Sequence, residues 1–327
     1  MQNNLAIVIP AYKAEFLRQT LESIDNQTNK NFTLYIGDDA SPYDLRTVID
    51  EFINSLNIVY KRFAKNAGGK DLVKQWERCI ELSENEKWIW LFSDDDLMTP
   101  DCVESFFETT EKTEADLYRF DIKMINENNI VSFISENPEF ERSTDFIKSR
   151  FRLERCSSVT SFVFSRKIYE TENRFNDFPL GWCSDDAAWL KFGRHKGICT
   201  IKGSYVSWRN SSLNISNNNL TKKAEKIQAQ LQYLRWLYSY NFDSLDSELF
   251  KNREEFSQFS YTWLYDTTFK LNLNYFLVIK VSFLLSELYQ TSPLFEFVKY
   301  CRTKPFIKGL KSINKKISGL LMKDNKI

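Results

Sequence analysis

Trp88-Ile89-Trp90-Leu91-Phe92-Ser93-Asp94-Asp95-Asp96-Leu97 decides the fold: five apolar residues run straight into three consecutive carboxylates, with Pro100 close behind. An apolar, aromatic-rich run of this length reads as a buried strand rather than a surface one. Its acids then stand at the strand's carboxyl end, where open α/β sheets place their ligands. Like unit charges ~4 Å apart repel by about 4 kcal/mol at an effective dielectric of about 20. Water or a cation has to offset that repulsion. The buried strand fixes the acids at a sheet edge, which favours a metal–phosphate site over a solvated turn.

Working outward toward the N-terminus, Leu5 to Pro10 is a short buried strand ended by proline, and Phe16, Leu17, Leu21 and Ile24 follow at helical spacing. Phe32 to Ile36 is a second strand, ending in Gly37-Asp38-Asp39-Ala40-Ser41-Pro42. A helix over 45–56, a strand over 58–63 and a helix over 72–82 lead back to the strand at 88–92. Four strand–helix alternations predict a parallel, doubly wound α/β sheet with right-handed crossovers. Asp38/Asp39 and Asp94/Asp95/Asp96 then share one sheet edge, which suggests a nucleotide with its metal. No Gly-x-Gly-x-x-Gly or Walker lysine motif is present. Asn66-Ala67-Gly68-Gly69-Lys70 is either a nucleotide contact, through Lys70 or the loop amides, or a plain turn.

Toward the C-terminus the pattern is mixed. A helix over 102–110 precedes paired strands at 117–125 and 130–134, and another strand covers 159–164. Gly181-Trp182-Cys183-Ser184-Asp185-Asp186-Ala187-Ala188-Trp189-Leu190 marks a helix start, with Ser184 or Asp185 as N-cap. On local pattern alone, those acids are capping groups as readily as functional ones. Two short strand-like runs fill 198–208, with Arg209 at their end. Beyond Asn210 the composition shifts, and the polar segment 214–219 suggests a boundary between residues 1–212 and a helical region, 213–327. Helices are expected over 222–240, 248–271 and 275–289. Residues 304–321 form a basic amphipathic pattern, with eight basic residues and one acid from Cys301 onward. That segment suits a membrane interface or a core-packed helix with a solvated lysine face.

The 327-residue chain carries 44 basic and 44 acidic side chains, so no global field draws it to nucleic acid. Six cysteines without a Cys-x-x-Cys pair fit neither a zinc site nor a small disulfide framework, and reduced thiols in a cytosolic compartment are expected. Nothing before Leu5 resembles a signal peptide, and the apolar run 275–285 is broken by Lys280, short of a membrane span. His195 is the single histidine, which removes Ser-His-Asp, Cys-His and multi-histidine metal chemistry and leaves acid–base work to carboxylates first, with Lys, Tyr or Cys behind them.

Over residues 4–210 these pieces resemble the family 2 glycosyltransferases, inverting enzymes on the GT-A fold, a Rossmann-like, mostly parallel sheet flanked by helices. Ala6-Ile-Val-Ile-Pro-Ala-Tyr12 looks like the family's opening strand, and Leu21-Glu-Ser-Ile-Asp-Asn-Gln-Thr28 is similar to its first-helix signature. Asn31 to Ser41 resembles the strand that delivers an aspartate to the nucleobase. Phe92 to Pro100 resembles the Asp-x-Asp metal motif, with Ser93 in place of its first acid, and Ser184-Asp-Asp186 resembles the motif carrying the base. The resemblance implies that Asp39 accepts from the base's imide N–H, that Pro10 and Tyr12 line the nucleobase pocket, and that Asp94 lies near the ribose. It implies that Asp95 binds Mg²⁺ or Mn²⁺, with Asp96 as orienting neighbour or second ligand. Asp186 is the implied general base, and Asp185 stands where the family more often has glutamate. Arg209 is a candidate to neutralise diphosphate charge, since no histidine stands near 205–215.

The chemistry accounts for these residue types. A hard cation on carboxylate oxygens offsets charge on the leaving diphosphate. A carboxylate on the opposite face of the sugar takes the acceptor proton during attack, and an oxocarbenium-like transition state permits single displacement with inversion. The resemblance thus implies transfer from a nucleotide-diphospho-sugar, UDP above all, to a saccharide or lipid-linked saccharide, with the basic C-terminal helix against the cytoplasmic leaflet. Two rivals stay open: a sugar nucleotidyltransferase, whose basic phosphate loop Ala11 to Glu15 does not match, and a non-catalytic glycan- or lipid-binding scaffold.

Overall fold

The computed structural model describes residues 4–212, 214, 222–242, 249–269, 275–293 and 296. Strand β1 (Leu5–Ala11) is followed by α1 (Leu17–Asp25), β2 (Phe32–Asp38), α2 (Leu45–Asp50), β3 (Ile58–Arg62), α3 (Leu72–Ile80) and β4 (Trp88–Leu91). β2 and β4 are buried along their whole length, as continuous apolar runs predict. β1 lies between them, parallel to both, and β3 continues the parallel set beyond β2. Gly37 is required where α3 crosses β2, because a Cβ there would collide with the Cys79 sulfur.

The second half adds β5 (Leu97–Met98), α4 (Cys102–Lys112), β6 (Leu117–Ile125), β7 (Val131–Ser135), β8 (Phe140–Glu141), α5 (Ser143–Phe151), β9 (Phe162–Ser165), α6 (Arg166–Thr171), α7 (Ser184–Phe192) and β10 (Ile198–Arg209). The sheet order is β3-β2-β1-β4-β9-β6-β10-β5, with β7 on β6 and β8 on β10. β9 runs against both β4 and β6, so β6 and its parallel neighbour β10 point the same way as β4. The carboxyl ends of β1, β2, β4 and β10 therefore meet on one edge.

Three local expectations need correction. The two runs expected over 198–208 are one strand, β10, whose register shifts between Ile201 and Tyr205 around Gly203 at φ 88°. α7 is capped by neither Ser184 nor Asp185. Its N-cap is Cys183, held left-handed at φ 68°, with both acids in the first turn. α5 and α6 were not expected from the pattern.

Trp90 forms the centre of the core, stacked on Phe120 at 4.8 Å and edge-on to Phe92, with its indole N–H donated to the Thr160 carbonyl at 2.7 Å. A second aromatic cluster seats α7: Trp189 stacks on Phe162 at 4.2 Å and meets Phe175 and Phe192. Stacks of this kind contribute ~0.5–1.5 kcal/mol each beyond area burial.

The chain divides into two compact units, Met1–Ala229 and Gln230–Ile327, with the division inside α8 (Lys223–Phe242). In the second unit, α9 (Arg253–Phe269) and α10 (Tyr275–Tyr289) pack with the end of α8 through Tyr238, Phe256 and Tyr289. Asn241 pairs with the Phe250 backbone, and Ser257 donates to the Tyr289 hydroxyl at 2.7 Å. Among the described residues no helix is long and apolar enough to cross a membrane. The amphipathic segment 304–321 lies outside the described residues.

Candidate active site

The acidic turn after β4 sends its three carboxylates to three different partners. Asp94 accepts the backbone N–H groups of Tyr12 and Lys13 at 2.8 and 2.7 Å, which fastens the end of β1 to the turn. Asp95 pairs with the Lys13 ammonium, which also lies 3.3 Å from the second Asp94 oxygen. Asp96 accepts from the Arg209 N–H and the Thr160 hydroxyl, both at 2.8 Å. Burial pushes the Asp96 carboxyl up to about 7, reinforced by the charge of Asp95. Burial also raises Asp94, against the pull of Lys13. Lys13 itself moves the opposite way to its burial, because the charges of Asp94 and Asp95 outweigh desolvation.

Arg209, a candidate to neutralise diphosphate charge, has its guanidinium bonded within the protein. Its side chain is fully buried and donates to the Asp95 carbonyl at 2.7 Å, Asn129 Oδ1 at 2.7 Å, Gln19 Oε1 at 3.0 Å and two further carbonyls. Its guanidinium also lies 4.2 Å from the Phe16 ring. In this arrangement it holds the acidic turn from behind.

Asp39, at the end of β2, is buried and takes the amides of Ala67 and Gly68 at 2.7 and 2.8 Å together with the Arg78 guanidinium. It thereby shapes the 66–70 loop, where the Lys70 side chain is exposed. Asp38 beside it is spent structurally on Tyr60, Arg62 and the Ser41 amide. Pro10 pairs in register with Gly37, and the Tyr12 ring is 41% exposed next to the acidic turn.

At the start of α7, Arg150 of α5 grips Asp186 at 3.1 and 3.4 Å. The attraction outweighs the desolvation that would otherwise lower the guanidinium. Burial, and then the charge of Asp186, push Asp185 up to about 7. Three positive φ values, at Leu180, Gly181 and Cys183, fold the chain sharply into this position. Gly181 sits against Leu72 and Trp76 of α3, whose N-terminus follows the loop held by Asp39. From the other side, Arg150 donates to the Arg155 carbonyl, and the segment that follows supplies Thr160 to Asp96. Asp39 and the acidic turn thus stand at the ends of β2 and β4 on one edge of the sheet, and Asp186 is joined to the acidic turn through Arg150 and the segment that runs on to Thr160.

Comparison with protein-family models gives a match to "Glycosyl transferase family 2" over residues 6–172, about half the chain. The chain belongs to glycosyl transferase family 2. The matched span holds Asp39 and the acidic turn and stops before Asp185. Compared with curated protein sequences, the chain matches none. Solved structures give the fold. S. aureus TarS 1–349 in complex with UDP-GlcNAc is 12% identical, with a TM-score of 0.65 over 88% of this chain and 81% of that one. TarS 1–349 in complex with UDP is 12% identical, with a TM-score of 0.60 over 91% and 81%. The mixed sheet flanked by helices in this chain is the GT-A fold.

A divalent cation fits the acidic turn in a restricted way. Among the described residues no group of three Asp, Glu, His or Cys side chains is disposed to hold one. Asp95 and one Asp94 oxygen face an ammonium, a cation already standing in that position, while both Asp96 oxygens are engaged elsewhere. One or two carboxylates suit Mg²⁺ or Mn²⁺ when a diphosphate and water complete the shell. Lys13 and Arg150 were missed in the sequence. Lys13 follows directly on Tyr12 at a strand end and was available to notice, whereas only tertiary packing brings Arg150 to Asp186.

Proposed function

We propose that this chain transfers a sugar from a nucleotide-diphospho-sugar, UDP-linked, to a hydroxyl of a saccharide or lipid-linked saccharide, with inversion. The acids at the ends of β2 and β4 on one sheet edge, with Asp186 tied to the same turn through Arg150 and the segment up to Thr160, in a family-2 chain, carry this reading. The UDP-GlcNAc and UDP complexes of TarS, a protein of like fold, support uridine as the nucleoside.

Asp39 and the loop amides it organises receive the base, with Pro10 and Tyr12 beside it. Asp95, with Asp94, holds Mg²⁺ or Mn²⁺, which as a Lewis acid offsets charge on the leaving diphosphate. Arg150 orients the Asp186 carboxylate, and Asp186 takes the proton from the acceptor hydroxyl as it attacks the anomeric carbon. Asp185 is the member of the pair that keeps a proton near neutrality. The basic pattern of 304–321 supports a place on the inner face of the plasma membrane, in surface polysaccharide synthesis. Deleting residues 302–327 should then abolish binding to anionic liposomes.

The test of the chemistry is Asp186→Asn. It should bind UDP-sugar as the wild type does while losing at least about a hundredfold in turnover. Turnover at the wild-type rate would remove Asp186 as the base.

A further inference from the structure

Lys13 is not a loose surface lysine. Its own amide and that of Tyr12 are bonded to Asp94, so the backbone delivers the side chain to the acidic turn. Its ammonium then closes over the two carboxylates, leaving Asp94 and Asp95 4% and 6% exposed while the lysine side chain stays 26% exposed. Arg209, the other cation at the turn, donates to the backbone carbonyl of Asp95 and not to its carboxylate. A divalent ion on the same oxygens would face the ammonium at contact distance, where like charges repel strongly. The two cations therefore exclude each other. A lysine released from the carboxylates keeps its reach along this edge and is a ready point-charge partner for phosphate.

We propose that Lys13 is the resident cation of the Asp94/Asp95 pair, yielding the carboxylates to a divalent ion as its ammonium passes to the donor's diphosphate. This rests on the nucleotide-sugar reading above. It makes Lys13 a positioning residue that couples metal and nucleotide binding.

The full-length chain, as wild type, Lys13→Met and Lys13→Arg, can be titrated with Mn²⁺ alone, following free Mn²⁺ by electron paramagnetic resonance. The same proteins are titrated with UDP by calorimetry, once in EDTA and once with Mn²⁺. Lys13→Met should bind Mn²⁺ about tenfold tighter or more and UDP in EDTA about tenfold more weakly. Lys13→Arg should stay near the wild type in both. The opposite signs separate this role from structural damage, which would weaken both. Lys13→Gln serves as a second neutral variant if Lys13→Met folds poorly. Unchanged or weaker Mn²⁺ binding in a cooperatively folded neutral variant would overturn the exchange. Wild type that binds UDP with Mn²⁺, beside neutral variants that move neither quantity, would end the role of Lys13 alone. Wild type with no metal-dependent UDP binding would end the nucleotide-sugar reading and the exchange with it.

Discussion

Replacing Arg209 by methionine separates two roles for the same residue. A guanidinium that served only the diphosphate would leave folding intact when removed. The structure gives it five side-chain hydrogen bonds to protein acceptors: the carbonyls of Asp95, Asn126 and Glu127, and the side chains of Asn129 and Gln19. Hydrogen bonds from a charged donor contribute ~1.5–3 kcal/mol each and do not add fully. Methionine keeps most of the packing on Phe16 but leaves the buried Asp95 carbonyl without its donor, whereas Asn126, Glu127 and Asn129 are exposed residues that water reaches. A buried acceptor left without its donor costs about 1–3 kcal/mol. For a domain of this size roughly 2–4 °C in Tm accompanies each kcal/mol, so a fall of about 5 °C is expected. Urea unfolding followed by tryptophan fluorescence measures it, with UDP affinity determined well below the transition. A loss of less than about 1 kcal/mol, accompanied by a large loss of UDP affinity, would refute the structural role and return Arg209 to the ligand.

Asp185 should make stability depend on pH. Its carboxyl rises from an ordinary 3.8 to about 7 on folding, so between those values the folded chain holds a proton that the unfolded chain has lost. Stability from this group is complete below the lower value and lost as pH climbs through the upper one. Asp185→Asn should therefore gain more in Tm relative to wild type at pH 8 than at pH 5, and equal differences at both would contradict the shift. Gly37→Ala should destabilise the chain by ~1–3 kcal/mol, since the added methyl meets the Cys79 sulfur. Adding Cys79→Ala should recover part of that loss in denaturant unfolding, and no recovery would place the strain elsewhere.

The first half of the fold was legible because each element declares itself locally. Leu5 to Ala11, Phe32 to Asp38 and Trp88 to Leu91 are apolar runs too short for helices, and between them the buried positions of α1 fall at helical spacing. The second half was less legible because its organisation lies in pairing. Nothing local says that β9 runs antiparallel between β4 and β6, or that one strand bends through Gly203 where two were expected. Charge is harder still. A sequence shows that Asp185 and Asp186 open a helix but not that an arginine 36 residues earlier faces one of them.

The acidic triplet carries the same point into function. Three adjacent aspartates look interchangeable in the sequence, yet what donates to each sets them apart. Asp94 is held by two backbone amides and Asp96 by a backbone amide and a buried hydroxyl, groups that cannot leave without moving a strand end. Asp95, together with the second oxygen of Asp94, instead faces a long, partly exposed side chain, Lys13. A ligand entering this edge can displace a lysine far more readily than a strand. Asp96 and the amide-bonded oxygen of Asp94 therefore serve as fixed walls, and Asp95 with the other Asp94 oxygen forms the face free to change partners.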